Sequence, residues 1–309
     1  MVPIIQILRG SIRVPRIFRI SKQLIALTQV LGCRGALQYL VQERRLRRGS
    51  ITEPYTLFTK LAHFPLKVRP CTSDISVFRQ IFIEREYACL DDISNVGLIV
   101  DCGANVGYSS AYLLSQFPMS HVICVEPDPS NFAMLKENLQ PYGDRAVVIQ
   151  AGVWSHPTEL KISEVPYRDG GKWAVQVVEN SDRQAGGIRA IDIGSLLKDS
   201  DFQRVSILKM DIEGAEVIVF SKNYEYWLSR VDNFIVELHD DTVFGPASDL
   251  VTSKVAEHGD FHVSRCGELT VFKLNNQVSQ LLGMVARAPV LLKSVQASVK
   301  YQLNRWFSK

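Results

Sequence analysis

Two groups of residues in this chain have the types and spacing for chemistry. The first lies in LIVDCGANVG, Leu98 to Gly107, where Asp101, Gly103, Asn105 and Gly107 follow a short apolar run. Glycine serves where backbone must bend sharply or come close to a ligand. Glu126 arrives 25 positions after Asp101, at the end of a second apolar run, HVICVEPDP, with Pro127 next to it. An acid so placed can hold ribose hydroxyls. The second group is Asp211, Glu213, Glu237 and His239, which close or follow the runs ILKMD and FIVEL. Carboxylates and imidazole at such ends are candidates for general base work, a contribution of roughly 10²- to 10⁴-fold.

The charge of the first group selects its ligand. A carboxylate at a glycine turn is a poor neighbour for a pyrophosphate, which wants bare N–H groups at a helix start. It is a good neighbour for a cation. The turn reads DxGxxxG, not GxGxxG. A nucleoside with an ammonium and a sulfonium, S-adenosylmethionine, therefore fits better than NAD. The alternative is that Asp101 only caps the turn or helix. In the second group, Lys209 shares a strand face with Asp211 and is open to simple pairing with an acid. Glu216 suits the first turn of a helix, where the dipole favours an acid. His239, Asp240 and Asp241 could together hold Mg²⁺, but oxygen ligands are abundant in any protein, and no metal is expected. The remaining histidines, at 63, 121, 156, 258 and 262, show no ligand spacing.

Strands and helices must hold these residues in place. Leu98 to Val100 reads as a buried parallel strand, and VGYSSAYLLSQF as the helix after it. Asp128 can cap a helix that has Pro129 at its first position. AVVIQAGV (146–153) reads as a third strand, with Gly152 and Val153 against the adenine. ELKISE and AVQVVE suggest a short antiparallel insertion near the turn RDGGK (168–172). GSLLKD is a brief helix, VSILKMDIEGAE a strand, turn and helix start, and NFIVELHD another strand. Residues 261–274 form a hairpin. Upstream, residues 51–70 read as lead-in strands. SDISVFRQIFIEREYACL (73–90) reads as one helix, from which Asp74 and Tyr87 could reach the ligand, although packing is the job expected of Tyr87. Alternating helices and strands with a terminal hairpin imply an α/β doubly wound, mostly parallel sheet with one reversed strand.

At 309 residues and 46% hydrophobic, the chain can bury one main domain with appendages. We divide it into a basic helical extension and lead-in (1–72), a central domain (73–275) and an amphipathic C-terminal extension (276–309). Residues 1–50 hold ten Lys/Arg against one acid, and 276–309 hold five against none. Basic ends suit anionic partners, lipid headgroups among them. Residues 1–50 read as helical pieces broken by Pro3, Pro15 and glycines. From Pro289, Leu291, Leu292, Val295, Val299, Leu303, Trp306 and Phe307 fall on one helical arc, with Lys293 and Lys300 opposite. Such a face either meets a membrane surface or packs on the domain or a second copy, so a homodimer stays open. Six scattered cysteines without a CxxC pair suggest reduced thiols and a cytoplasmic protein, peripheral to the membrane if its ends bind lipid. Arg9, Arg13, Arg16 and Arg19 interrupt any leader-like apolar stretch.

Six stretches together resemble the FkbM family of S-adenosylmethionine-dependent methyltransferases: IVDCGANVGYSS, VICVEPDPSNFAMLKENL, AGVWSHPTELKI, IDIGSLL, ILKMDIEGAEVIVF and FIVELHD. The resemblance covers about residues 74–274. It implies a class I methyltransferase fold, Rossmann-like, with a seven-stranded sheet whose last strand is reversed. It also implies O-methylation of a sugar or polyketide hydroxyl. The family's second motif falls on Lys209, Asp211, Glu213, Gly214, Glu216, Glu237 and His239. Cofactor binding is assigned to Asp101, Gly103, Asn105, Gly107, Glu126, Pro127, Gly152, Val153 and Asp211, and catalysis to Asp211, His239 and Glu213. The expected function is methyl transfer from S-adenosylmethionine to a hydroxyl of a glycan, a lipid-linked sugar or a polyketide-like small molecule. Two alternatives remain: an NAD-dependent oxidoreductase, and a non-enzymatic membrane-associated protein built on a methyltransferase core. Nucleic acid ranks low, because the first fifty residues offer only Phe18 and Tyr39 for stacking.

Overall fold

A computed structural model describes residues 16–163, 176–180 and 187–275. The expected C-terminal helix, the turn RDGGK and the breaks at Pro3 and Pro15 lie outside the described residues. Helix α1 (Arg16–Arg47) comes first and is broken at Gly32, where φ is 72°. Its Leu27, Leu31, Ala36 and Tyr39 are buried in the main core. Leu24, Ile25, Leu37 and Val41 face outward, and Arg44, Arg45 and Arg47 crowd the last turn. An antiparallel hairpin of β1 (Tyr55–Leu57) and β2 (Leu66–Val68) follows.

The single helix expected over 73–90 is three short pieces. α2 (Asp74–Phe78) runs into a wide turn over Arg79–Ile83 and then a tight one over Glu86–Leu90, with Arg85 between them at φ 58°. Burial explains the break. Phe78, Ile81, Phe82, Tyr87 and Leu90 are all buried. On one continuous helix, at about 100° per residue, Tyr87 would point roughly opposite Phe78. Breaking the helix turns both inward.

The alternation then holds: β3 (Leu98–Cys102), α3 (Tyr108–Gln116), β4 (His121–Glu126), α4 (Pro129–Leu139) and β5 (Ala146–Gln150). Asp128 caps α4 by accepting from Asn131 N at 2.8 Å, with Pro129 in the first turn. The strand expected over 146–153 stops at Gln150. β6 (Gly152–Val153) pairs instead in a second sheet, of order β6-β9-β7-β8, with β7 (Glu159–Ile162), β8 (Val177–Glu179) and β9 (Ile188–Ile191). A Cβ on Gly152 would meet Leu160 Cδ1 at 2.6 Å, so its bareness serves packing within that sheet. The chain continues through α5 (Ile193–Lys198), β10 (Ile207–Met210), α6 (Glu216–Val219), α7 (Glu225–Leu228), β11 (Asn233–Glu237), α8 (Ser248–His258), β12 (Phe261–Cys266) and β13 (Leu269–Leu274).

The main sheet has seven strands in the order β12-β13-β11-β10-β3-β4-β5. β5, β4, β3, β10 and β11 are parallel, and β13 runs antiparallel to both of its neighbours. All five residues of β3 are buried. Ile99 joins the core on one face, and Leu98, Val100 and Cys102 join that on the other. Successive side chains point to opposite faces, so a strand covered on both sides reads as an unbroken apolar run. Each such Val or Ile contributes about 1.5–3 kcal/mol by burial. The order of connection reverses at β3, which has β4 on one side and β10 on the other. Ligands of open α/β sheets bind outside the carboxyl ends of strands at such a point.

Candidate active site

The turn after β3 is built by backbone. Gly103 N and Ala104 N both donate to Val125 O at 3.0 Å, tying the turn to β4. Gly103 sits at φ 78°, and a Cβ there would overlap the carbonyl oxygen of Asp211. No other residue type fits. Gly107 starts α3 at φ 85°, where a Cβ would meet Leu135 Cδ1 at 2.8 Å. Asn105 lies between them at φ 49°. Its N–H donates to Glu126 Oε2 at 2.8 Å, and Asp128 N donates to Oε1 at 3.0 Å. Pro127 bridges Glu126 and the capping Asp128. Burial pushes the Glu126 carboxyl up to about 7, while these two backbone bonds pull the other way. Both oxygens are thus fixed by backbone at the end of β4, beside the turn.

Asp101 occupies a different place from the one its sequence position suggests. Its side chain is fully buried beneath the turn. Oδ2 accepts from Ser109 Oγ at 2.7 Å and Ser110 Oγ at 2.6 Å, and Oδ1 lies 3.2 Å from Lys209 Nζ. The cation that faces Asp101 is therefore Lys209. That ammonium also donates to Gly103 O at 2.7 Å and stands 3.8 Å from Asp211. Burial alone would lower its pKa. Asp101, Tyr87 and Asp211 outweigh this and hold it well above the ordinary lysine value. Asp101 and Lys209 together brace the turn from below.

The structure brings the second group together. Register places Met210 opposite Val236, so Asp211 and Glu237 leave adjacent strand ends. His239 is buried, with Nδ1 3.1 Å from Glu216 Oε1. Its Nε2 is 3.4 Å from Glu237 Oε1 and 3.6 Å from Glu213 Oε2, and makes no hydrogen bond to either. Burial would depress the imidazole pKa, but Glu216, Glu237 and Glu213 raise it to about 11. The three acids around the ring favour its protonated form, and the ring in turn holds them together. Burial raises Asp211 as well, against the pull of Lys209 and with a further push from Glu237. The Asp211 side chain is 31% exposed, the most open of these groups.

Other readings change. Glu216 is fully buried and accepts from Ile212 N at 3.2 Å, so it orients His239 instead of only meeting a helix dipole. Asp240 does not group with His239; it accepts from Ser248 N and Oγ at 2.8 and 2.7 Å. Asp74 is locked to Arg69 by bonds of 2.8–3.0 Å, and Tyr87 is packed against Tyr112. The Asp74 carboxylate is thus taken up by Arg69, and Tyr87 serves packing, as expected of it. Glu86 was missed. Burial pushes its carboxyl up to about 7, against a 2.7 Å bond from Gln80, and the charges of Asp211 and Glu237 push it further. Its only sequence signal was an acid three residues past an apolar stretch.

A family model described as the Methyltransferase FkbM domain matches residues 101–263. The chain belongs to the FkbM methyltransferase family. S-adenosylmethionine is its cofactor, which removes the dinucleotide alternative. The residues fit that group: a tight glycine turn at the point where the strand order reverses, and an acid at the end of β4 whose oxygens are already oriented. The FkbM chain is similar to Methyltransferase 1 of Beauveria bassiana, 27% identical over 203 residues that span 58% of this chain and 79% of that one. It is also similar to Methyltransferase sdnD of Sordaria araneosa, 26% identical over 203 residues, 55% of this chain and 76% of that one. Among solved structures, TrmK of M. capricolum in complex with S-adenosyl-homocysteine overlays with a TM-score of 0.35 at 11% identity, covering 62% of this chain and 68% of that one. No helix among the described residues is long and apolar enough to cross a membrane.

Proposed function

We propose that this methyltransferase transfers its methyl group to a hydroxyl oxygen, on a glycan, a lipid-linked sugar or a polyketide-like small molecule. The observation that carries this is the carboxylate cluster of Asp211, Glu213 and Glu237, set at the strand ends beside the Gly103–Gly107 cradle. The bound cofactor supplies a methyl carbon activated by a sulfonium. Gly103, Asn105, Gly107, Glu126 and Pro127 hold it, braced from below by Asp101 and Lys209, with Asp211 between cofactor and acceptor. A hydroxyl is a weak nucleophile, so the chain must orient it in line and receive its proton. Asp211 and Glu213 take that part. His239 is a positioning group that ties Glu216, Glu213 and Glu237 into one charged wall.

Incubating the protein with labelled S-adenosylmethionine and cell extract, then analysing the product by mass spectrometry, tests this reading. An acid- and base-stable methyl ether is the expected product. A methyl group on nitrogen, carbon or sulfur would overturn it.

A further inference from the structure

We propose that Asp211, Glu237 and His239 bind a divalent cation of the nitrogen- and oxygen-accepting kind, Mn²⁺ or Zn²⁺, at the carboxyl ends of β10 and β11. Each offers one ligand atom, and all three atoms lie within 4.8 Å of one another. Two carboxylates and one imidazole are donors that such ions accept, while Mg²⁺ prefers oxygen alone.

The histidine separates this group from an ordinary acidic patch. Its side chain is fully buried, yet Nε2 makes no hydrogen bond and points into the cluster. Glu216 holds the other ring nitrogen, Nδ1, at 3.1 Å. A carboxylate on the far nitrogen is the arrangement that fixes the tautomer and orientation of a metal-binding imidazole. Glu216 Oε1 also accepts from Ile212 N at 3.2 Å, which fixes the carboxylate against the ring.

Charge points the same way. Four acids meet here: Asp211, Glu213, Glu216 and Glu237. Among the described residues, Lys209 and His239 are the cations paired with them. A divalent ion offsets the excess and takes the place of the proton on Nε2, since a metal-bound imidazole must be neutral. Asp211 and Glu237 are only partly buried, which leaves the ion open on the acceptor side.

This rests on the proposed methyl transfer and sharpens it. The ion draws electron density from the acceptor hydroxyl. The oxygen–carbon bond forms as the carbon–sulfur bond breaks, the electron pair stays on sulfur, and the hydroxyl proton passes to the Glu213 carboxylate. Asp211 is then a ligand, and the base role falls to Glu213.

The test is to strip the full-length protein with EDTA, then titrate it with Mn²⁺ while following free Mn²⁺ by electron paramagnetic resonance. Zn²⁺ is titrated against a chromophoric chelator. One ion per chain is expected, with affinity weakened at least about tenfold in Glu237→Gln and unchanged in Asp241→Asn. His239→Gln should do the same as Glu237→Gln; because that ring is buried, the partly exposed Glu237 variant decides if His239→Gln fails to fold. No binding of either ion at millimolar concentration, or equal binding by wild type and Glu237→Gln, overturns the site. If methyl ether forms undiminished in EDTA, the metal site fails and the methyl-transfer reading stands. If the ion binds through these residues but no hydroxyl is methylated, the reading fails and the site stands.

Discussion

The turn after β3 and the cluster after β10 and β11 lie side by side, yet they are built by opposite means. In the turn, backbone does the work. Gly103, Asn105 and Gly107 adopt left-handed conformations, and N–H groups of Asn105 and Asp128 fix Glu126. In the cluster, side chains do the work. Asp211, Glu213, Glu216, Glu237 and His239 come from two strand ends and a helix start, and meet only because the sheet orders β10 beside β11. A site made of backbone is local in sequence. A site made of side chains is not.

Lys209 and Asp101 join the two regions, and variants there and on either side separate their contributions. The largest effect should come from Gly103→Ala. Any Cβ overlaps Asp211 O, and the residue sits at φ 78°. Thermal or urea unfolding should show a loss above about 3 kcal/mol, with cofactor binding lost as well. A near-neutral change would mean that the turn and β10 are not in contact.

Next comes Lys209→Met, which leaves Asp101 buried without its cation. About 3–5 kcal/mol of stability should be lost. The double variant Asp101→Asn with Lys209→Met should recover part of it, because no uncompensated charge remains. If the double variant is as unstable as the sum of the single ones, the pair is not coupled.

A smaller effect belongs to Glu126. Its folded carboxyl is raised from 4.5 to about 7, so it favours the folded state below about 4.5 and loses that contribution as pH rises through about 7. The cofactor-free protein should therefore lose up to about 3 kcal/mol between those limits relative to Glu126→Gln. Urea unfolding of both proteins across pH 4.5–8 measures the difference. Parallel curves would show that the carboxyl is not buried as described.

The contrast also explains what the sequence revealed. The strand LIVDC, the DxGxxxG turn, the capped helix at Asp128 and the terminal hairpin were all legible, because periodicity, glycines and caps act over a few residues. The parallel sheet with one reversed strand followed from their order. The break at Arg85 was not legible, since it depends on which face of the core receives Tyr87. Gly152 and Val153 carried no mark of the second sheet they join. Asp101 was placed at the right turn but facing the wrong way: an acid's partner across two strands, here Lys209, cannot be read from local spacing. Glu216 looked like a helix acid and Glu86 like nothing in particular. Both owe their environment to side chains more than twenty or a hundred positions distant.

The central claim is a division of labour: the cradle binds cofactor, and the cluster serves the acceptor. Calorimetry with S-adenosylmethionine, run beside a methyl-transfer assay on the same samples, tests it most directly. Glu126→Ala should weaken cofactor binding by about 1–3 kcal/mol, as for a lost bond to a charged group. Asp211→Asn should keep cofactor affinity within a few-fold while turnover falls by roughly 10²-fold or more. Full turnover in Asp211→Asn, or unchanged cofactor affinity in Glu126→Ala, would contradict the account.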